Sequence, residues 1–290
     1  MKYLLFTIGL IATFAAFAQN GEIHYLYPNR DTTNAPAIFV NLAPAEIASG
    51  AAVMICPGGG YTMLAYSHEG NRVAQWFNER GVHAIILRYS LGKFDGTGHK
   101  HPDMLNDAKA GFRMIRSHAK EWGINPDMVG VMGFSAGGHL ASTLATHFDD
   151  AQVDKDGKVI TPSCLPNFCI LGYPVITMND EFTHWGSRRF LLGPTPRDED
   201  IQNLSNQLQV KPQTPPTFIF HTSDDKSVPV QNSIEYYLAL RKMGIPVEMH
   251  IFEHGPHGVG LAASDPTLSQ WTVLLEDWLR RWKVIGAGGR

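Results

Sequence analysis

The chain has 290 residues, 44% of them hydrophobic and 18% charged, with a formal net charge of −3. That length and apolar content can bury a large single core, and the modest charge excludes a disordered polyelectrolyte. Without basic clusters there is no electrostatic footprint for nucleic acid or an anionic membrane, so the expected ligand is a neutral small molecule or oligosaccharide.

Lys2 gives the N-terminus a positive start, residues 4–17 are almost wholly apolar, and Ala16 and Ala18 supply small residues before Gln19. Residues 1–18 therefore read as a cleaved secretory signal, because about 14 apolar residues fall short of the roughly 20 that span a bilayer. No cysteine follows to accept a lipid. The expectation is export to a periplasm or the medium, no stable membrane insertion after cleavage, and one domain over residues 19–290.

Residues 23–27 and 38–42 read as leading strands. Residues 52–56 (AVMIC) and 84–88 (AIILR) are continuous apolar runs of the kind buried on both faces of a parallel sheet. Between them, 70–80 carries Val73, Trp76 and Phe77 at helical spacing. Residues 102–122 form a long amphipathic pattern with Pro102 near its start and Gly123 just past its end. Val129, Val131 and Met132 predict a buried strand, and 138–147 predicts the helix after it. The runs FCILGY (168–173) and TFIFH (217–221), a helix over 230–243, a strand over 247–252 and a helix over 268–282 complete the alternation. This repetition predicts an α/β fold, a mostly parallel central sheet with helices on both faces. Residues 174–213, rich in Pro, Asn and Asp, break the pattern and read as a small lid-like insertion.

Cys56 lies in an apolar run; Cys164 and Cys169 would bridge a short loop, yet Cys169 opens a strand-like run. With no zinc spacing among Cys and His, structural thiols are expected, with no metal and no cofactor.

The segment Gly133-Phe134-Ser135-Ala136-Gly137 sits between the predicted strand and helix, which is the context a nucleophile elbow requires. Gly133 and Gly137 leave room for a turn too tight for side chains, and the turn lifts the Ser135 hydroxyl above the sheet. Ser135 then needs an oxyanion hole, an acid and a base. Cys56-Pro57-Gly58-Gly59-Gly60-Tyr61 follows a buried strand, and its glycines allow successive amides to converge; Gly59, Gly60 and Ala136 are the expected donors. A phosphate cradle would need a following Lys-Ser/Thr, which this loop lacks. After TFIFH, Asp225 is preferred as the acid, with Asp224 open as a rival. After residues 247–252, His257 is preferred as the base over His254. The chain order Ser, Asp, His is that of the α/β-hydrolase fold. Tyr61, His68 and Glu69 are candidates for the substrate entrance, with capping and packing as the alternative. In the insertion, His184 and Trp185 are candidates for substrate contact, the Trp ring either stacking on a sugar or filling a core. His139 reads as structural, and Arg88 and Tyr89 as pocket floor or partners of buried carbonyls.

The segments PGGGY, LRYSLG, HPDMLNDAKAGFRMIRSHAKEWGINPDMVGVMGFSAGGHLAS, GYPVIT, HTSDDKSVPVQNS and HGPHGVGL together resemble the α/β-hydrolases of the carbohydrate esterase and acetylxylan esterase type, related to the hormone-sensitive-lipase-like and feruloyl esterase-like groups. The resemblance covers residues 52–282. It implies hydrolysis of short acyl esters, often acetyl, on plant polysaccharide fragments, with the nucleophile on Ser135, the acid on Asp225, the base on His257 and the oxyanion donors on Gly59, Gly60 and Ala136. Lipase-like relatives carry His before the glycines, where this chain has Pro57. A serine peptidase, a lipase or a non-catalytic carbohydrate-binding protein would share the fold. No propeller precedes the domain as in peptidase relatives, 174–213 is too polar for a lipase lid, and the complete Ser, Asp, His set argues against a non-catalytic role.

Overall fold

The computed structural model describes residues 21–28, 34–95, 97–153, 159–179 and 181–286. The signal predicted over 1–18 lies outside the described residues. The strands are β1 (Glu22–Tyr25), β2 (Ala37–Asn41), β3 (Ala52–Cys56), β4 (His83–Arg88), β5 (Val129–Phe134), β6 (Gln152–Val153), β7 (Val159–Thr161), β8 (Cys169–Gly172), β9 (Thr217–Thr222) and β10 (Val247–Phe252). The helices are α1 (Arg72–Asn78), α2 (Asp103–Ser117), α3 (Ser135–Thr146), α4 (Trp185–Leu192), α5 (Asp198–Asn203), α6 (Gln231–Lys242) and α7 (Gln270–Arg281).

Eight of these strands form the central sheet in the order β1-β2-β4-β3-β5-β8-β9-β10. The β1–β2 and β2–β4 pairs are antiparallel; every pair from β4 to β10 is parallel. Alternation along each strand divides the core in two. Met54, Cys56, Ile85 and Leu87 face α2, α3 and α6 with Phe112, Leu144 and Leu240. Val53, Ile55, Ala84 and Ile86 face α1 and α7 with Phe77, Trp271 and Leu275. Both faces being covered explains why β3 and β4 read as unbroken apolar runs.

Register sets where the loops emerge. Cys56 lies opposite Gly133, Phe134 opposite Gly172, Gly172 opposite Phe220, and Thr222 opposite Phe252. The loops after β3, β5, β8, β9 and β10 therefore open along one edge. The chain reverses its direction of travel across the sheet between β3 and β5, which is where open α/β sheets place their ligands.

Some boundaries differ from expectation. The pattern over 70–80 begins as a wide π-type turn, Tyr66–Asn71, before α1. The pattern over 102–122 leaves helical geometry at His118 (φ −96°, ψ 6°) and continues as turns toward Gly123. The β6–β7 hairpin has no sequence signature because its residues lie outside the core. Residues 174–213 hold α4, α5 and a 3-10 turn, Asn206–Leu208. Cys56, Cys164 and Cys169 are free and buried; burial pushes the Cys164 thiol up, and its Sγ accepts the Asp149 amide at 3.0 Å.

Candidate active site

Ser135 follows β5 directly and adopts φ +52°, a left-handed conformation that a non-glycine residue holds only under strain. The flanking glycines are steric necessities: a β-carbon on Gly133 would stand 2.1 Å from the Gly137 carbonyl oxygen, and one on Gly137 2.1 Å from that of Cys56. The elbow thus presses against the end of β3 and begins α3.

The loop after β10 brings His257 to the serine. His257 Nε2 lies 2.8 Å from Ser135 Oγ, and Nδ1 lies 2.7 Å from Asp225 Oδ2. Asp225 has a fully buried side chain, while His257 is 19% exposed. The other Asp225 oxygen accepts the amides of Ser227 (2.8 Å) and Val228 (3.0 Å). Burial alone would push the Asp225 carboxyl up, but hydrogen bonds from His221, His257 and Val228 hold it well below the usual carboxylate range. His221 was not singled out as a site residue. Its Nε2–H faces the Val228 carbonyl at 3.0 Å and Asp225 Oδ2 at 3.4 Å, and its Nδ1 accepts the Ser233 hydroxyl at 2.7 Å. A donor of this kind fixes the carboxylate from behind, so that Oδ2 meets the Nδ1–H tautomer of His257. The rivals pair with each other outside: Asp224 Oδ2 is 3.2 Å from His254 Nδ1, and Asp224 Oδ1 accepts the Gly255 amide at 2.8 Å.

The glycine loop lies against the elbow. A β-carbon on Gly58 would stand 3.0 Å from Ser135 Cβ, and one on Gly59 (φ +132°) 2.2 Å from the Met63 carbonyl oxygen. The Gly58 amide is held by Glu69 Oε2 at 2.8 Å. Among the described residues, the amides of Gly59, Gly60 and Ala136 have no protein acceptor. They remain free to receive developing charge.

The entrance candidates separate. Tyr61 is corrected: its ring is wholly buried and its hydroxyl meets His139 Nδ1 at 2.8 Å, so it cannot touch substrate. At φ +67° the backbone turns this side chain inward. His139 is buried as expected, its Nε2 on the Leu204 carbonyl at 2.8 Å. His68 is partly exposed, and its carbonyl would stand 2.7 Å from a β-carbon on Gly260, three residues after His257. His184 caps α4: Nδ1 accepts the Ser187 amide at 3.2 Å, which leaves the neutral ring's proton on Nε2. Burial, and then the neighbouring His257, push its pKa down, while Asp225 opposes them. Trp185 keeps an exposed ring beneath the Arg188 guanidinium, 5.0 Å from its centroid.

The profile of one protein family, BD-FAE, matches residues 42–240. The chain belongs to the BD-FAE family. It is 38% identical over 240 residues to an acetylxylan esterase of Xylanibacter ruminicola, covering 81% of this chain and 46% of that protein. It is 40% identical over 221 residues to endo-1,4-beta-xylanase B of Butyrivibrio fibrisolvens, covering 76% of this chain and 34% of that protein. The chain thus spans less than half the length of both. The acetyl ester-xyloside bifunctional hydrolase from Caldicellulosiruptor lactoaceticus has the same fold with a TM-score of 0.84 and 40% identity, over 94% of this chain and 100% of that one. The carboxylesterase Cest-2923 of Lactobacillus plantarum, at 22% identity and a TM-score of 0.73, shares the fold. The BD-FAE match contains the glycine loop and the Ser135 and Asp225 loops; His257 lies beyond its end. Tyr173, just after β8 in this BD-FAE chain, was read only as a strand end, although its ring packs edge-on to His257 with centroids 4.9 Å apart. Its position at the same sheet edge as Ser135 is the signal that could have found it.

Proposed function

We propose that this protein is an exported serine esterase that removes short acyl groups, acetyl first among them, from carbohydrates such as acetylated xylo-oligosaccharides. The reading rests on the hydrogen-bonded series Asp225, His257, Ser135, with distances of 2.7 and 2.8 Å, ending on a strained serine. The names of the relatives and the polar make-up of residues 174–213 support a short acyl group on a sugar.

His257 takes the Ser135 proton as Oγ attacks the acyl carbonyl, and Asp225 holds the Nδ1–H tautomer and stabilises the imidazolium. The amides of Gly59, Gly60 and Ala136 receive the oxyanion; one such donor lowers the barrier by about 3 to 4 kcal/mol. As the tetrahedral intermediate collapses and the bond from the acyl carbon to the sugar oxygen breaks, the His257 imidazolium gives its proton to that oxygen, which leaves as the sugar hydroxyl; water, activated by the same imidazole, then releases the acid and frees Ser135. Export rests on the charged start and apolar run of residues 1–18.

The test is competition among p-nitrophenyl acetate, longer acyl esters, a peptide amide and acetylated xylo-oligosaccharides on one preparation. Acetyl esters are expected to turn over fastest, the amide not at all, and Ser135→Ala to be folded and inactive. Hydrolysis retained by purified Ser135→Ala, or faster cleavage of the amide, overturns the reading.

A further inference from the structure

Glu69 is a carboxylate buried to 2% exposure. Among the described residues, the one basic side chain within ion-pair distance is the partly exposed imidazole of His68, at 3.9 Å. Burying a carboxylate this far from water is unfavourable unless its oxygens are hydrogen-bonded, and both are. Oε2 accepts the Gly58 amide at 2.8 Å, and Oε1 accepts the Tyr173 hydroxyl at 2.7 Å. The Tyr173 oxygen in turn accepts the Gly260 amide at 2.8 Å. The direction of the chain is fixed: a carboxylate only accepts, so Tyr173 must donate to it, leaving its lone pairs for Gly260. Bonds in such a chain polarise one another.

The three segments tied together are the ones the reaction needs aligned. Gly58 directly precedes the Gly59 and Gly60 amides. Gly260 follows His257 by three residues, in a loop whose Gly258 (φ +80°) and Gly260 (φ +55°) give it little stiffness of its own. Tyr173 packs its ring edge on His257 and adopts φ +34°, a strained value for a side-chain-bearing residue. Glu69 reaches between them because Tyr66–Asn71 is a π-type turn, a wide geometry that often marks functional positions.

We propose that Glu69, acting through Tyr173, is a positioning residue that sets the oxyanion amides and the His257 loop in register with one another. The inference rests on the proposed roles of Ser135, Asp225 and His257. Tyr173→Phe keeps the ring against His257 and removes the hydroxyl alone. Glu69→Gln keeps the shape but cannot accept with both terminal atoms. With p-nitrophenyl acetate, well below each variant's melting temperature, each single change is expected to lower kcat about 10- to 100-fold, the scale of a displaced catalytic group, with KM nearly unchanged. The double variant is expected to be little worse than the poorer single, because the two side chains act as one unit. A purely structural pair would lower the melting temperature and leave kcat alone. Wild-type turnover that Ser135→Ala lacks is measured first, and failure there sinks the esterase reading itself. With that control intact, a wild-type kcat in folded Tyr173→Phe, or losses that simply multiply in the double variant, overturns the positioning role. If Glu69→Gln does not fold, Tyr173→Phe decides alone.

Discussion

Two carboxylate–imidazole pairs stand side by side at the end of the sheet, and they differ in little but environment. Asp224 and Asp225 follow β9 in immediate succession, His254 and His257 follow β10, and each aspartate takes one of these two loop histidines. The outer pair is open to water, with His254 77% and Asp224 41% exposed; the inner pair has His257 at 19% and Asp225 at 0%. His254 turns its other nitrogen to Glu253, 3.5 Å away, whereas His257 turns its other nitrogen to Ser135. Water screens the outer pair, so that its attraction is worth little. Burial and a fixed second partner make the same chemistry directional in the inner one.

The largest expected effect comes from breaking the inner pair. Asp225→Asn should reduce kcat by about 10³- to 10⁴-fold, because an amide in place of the carboxylate favours the wrong imidazole tautomer. Steady-state kinetics on p-nitrophenyl acetate measures this, with circular dichroism as the control for folding. Because its partners hold Asp225 well below the usual carboxylate range, it stays ionised through mildly acid pH. The loss of kcat/KM on acidification then does not come from protonation of Asp225.

A third imidazole sharpens the contrast by having no carboxylate at all. His139 is 1% exposed, bonded to Tyr61 and Leu204, and burial pushes its pKa down to about 4. The unfolded chain, with histidine near 6.5, binds more protons than the folded one between those values. Stability is therefore full above about pH 6.5 and declines as pH falls toward 4, by roughly 1.4 kcal/mol per pH unit. Denaturant unfolding at pH 7 and pH 4.5 should show a loss of about 2 to 3 kcal/mol from this site, and His139→Asn should flatten that slope relative to the native chain. An unchanged slope would mean that other buried histidines carry the acid sensitivity.

Much of this was legible in the residues, for reasons that are steric. Gly133 and Gly137 are forced by backbone atoms 2.1 Å from where a β-carbon would sit, so the elbow carries a sequence pattern. Strand alternation and the continuous runs of β3 and β4 revealed the doubly covered sheet. What stayed hidden depended on long separations or on side-chain direction. Glu69 and Tyr173 are 104 positions apart, and nothing local marks either as half of a pair. Tyr61 follows three glycines and looked like a mouth residue, but its positive φ sends the ring into the core. His184 looked like a substrate contact, and one of its nitrogens is already committed to capping α4.

A smaller effect is expected from the outer histidine. His254→Ala removes a screened contact with Asp224 and leaves the Gly255 amide bonded, so kcat should change by no more than about threefold. A loss approaching that of Asp225→Asn would mean that His254, and not His257, serves the serine.

The smallest effect expected is that of Asp224→Asn, and it is the sharpest partner for Asp225→Asn because the two changes are chemically identical at adjacent positions. Asp224 holds the base loop through the Gly255 amide, 2.8 Å from Oδ1. An asparagine keeps an oxygen there, so that bond survives; what disappears is a charge already exposed to water, whose carboxyl lies low mainly because of that same amide. Turnover should therefore stay within about twofold of wild type. Asp224→Ala removes the acceptor as well and should loosen residues 254–257 without unfolding the protein, lowering kcat several-fold, since Gly255 packs against Leu268 and Thr222 too tightly to wander far. Equal losses in Asp224→Asn and Asp225→Asn would erase the distinction between the pairs. A gap of a thousandfold or more between them would tie that distinction to which side of the loop each carboxylate faces.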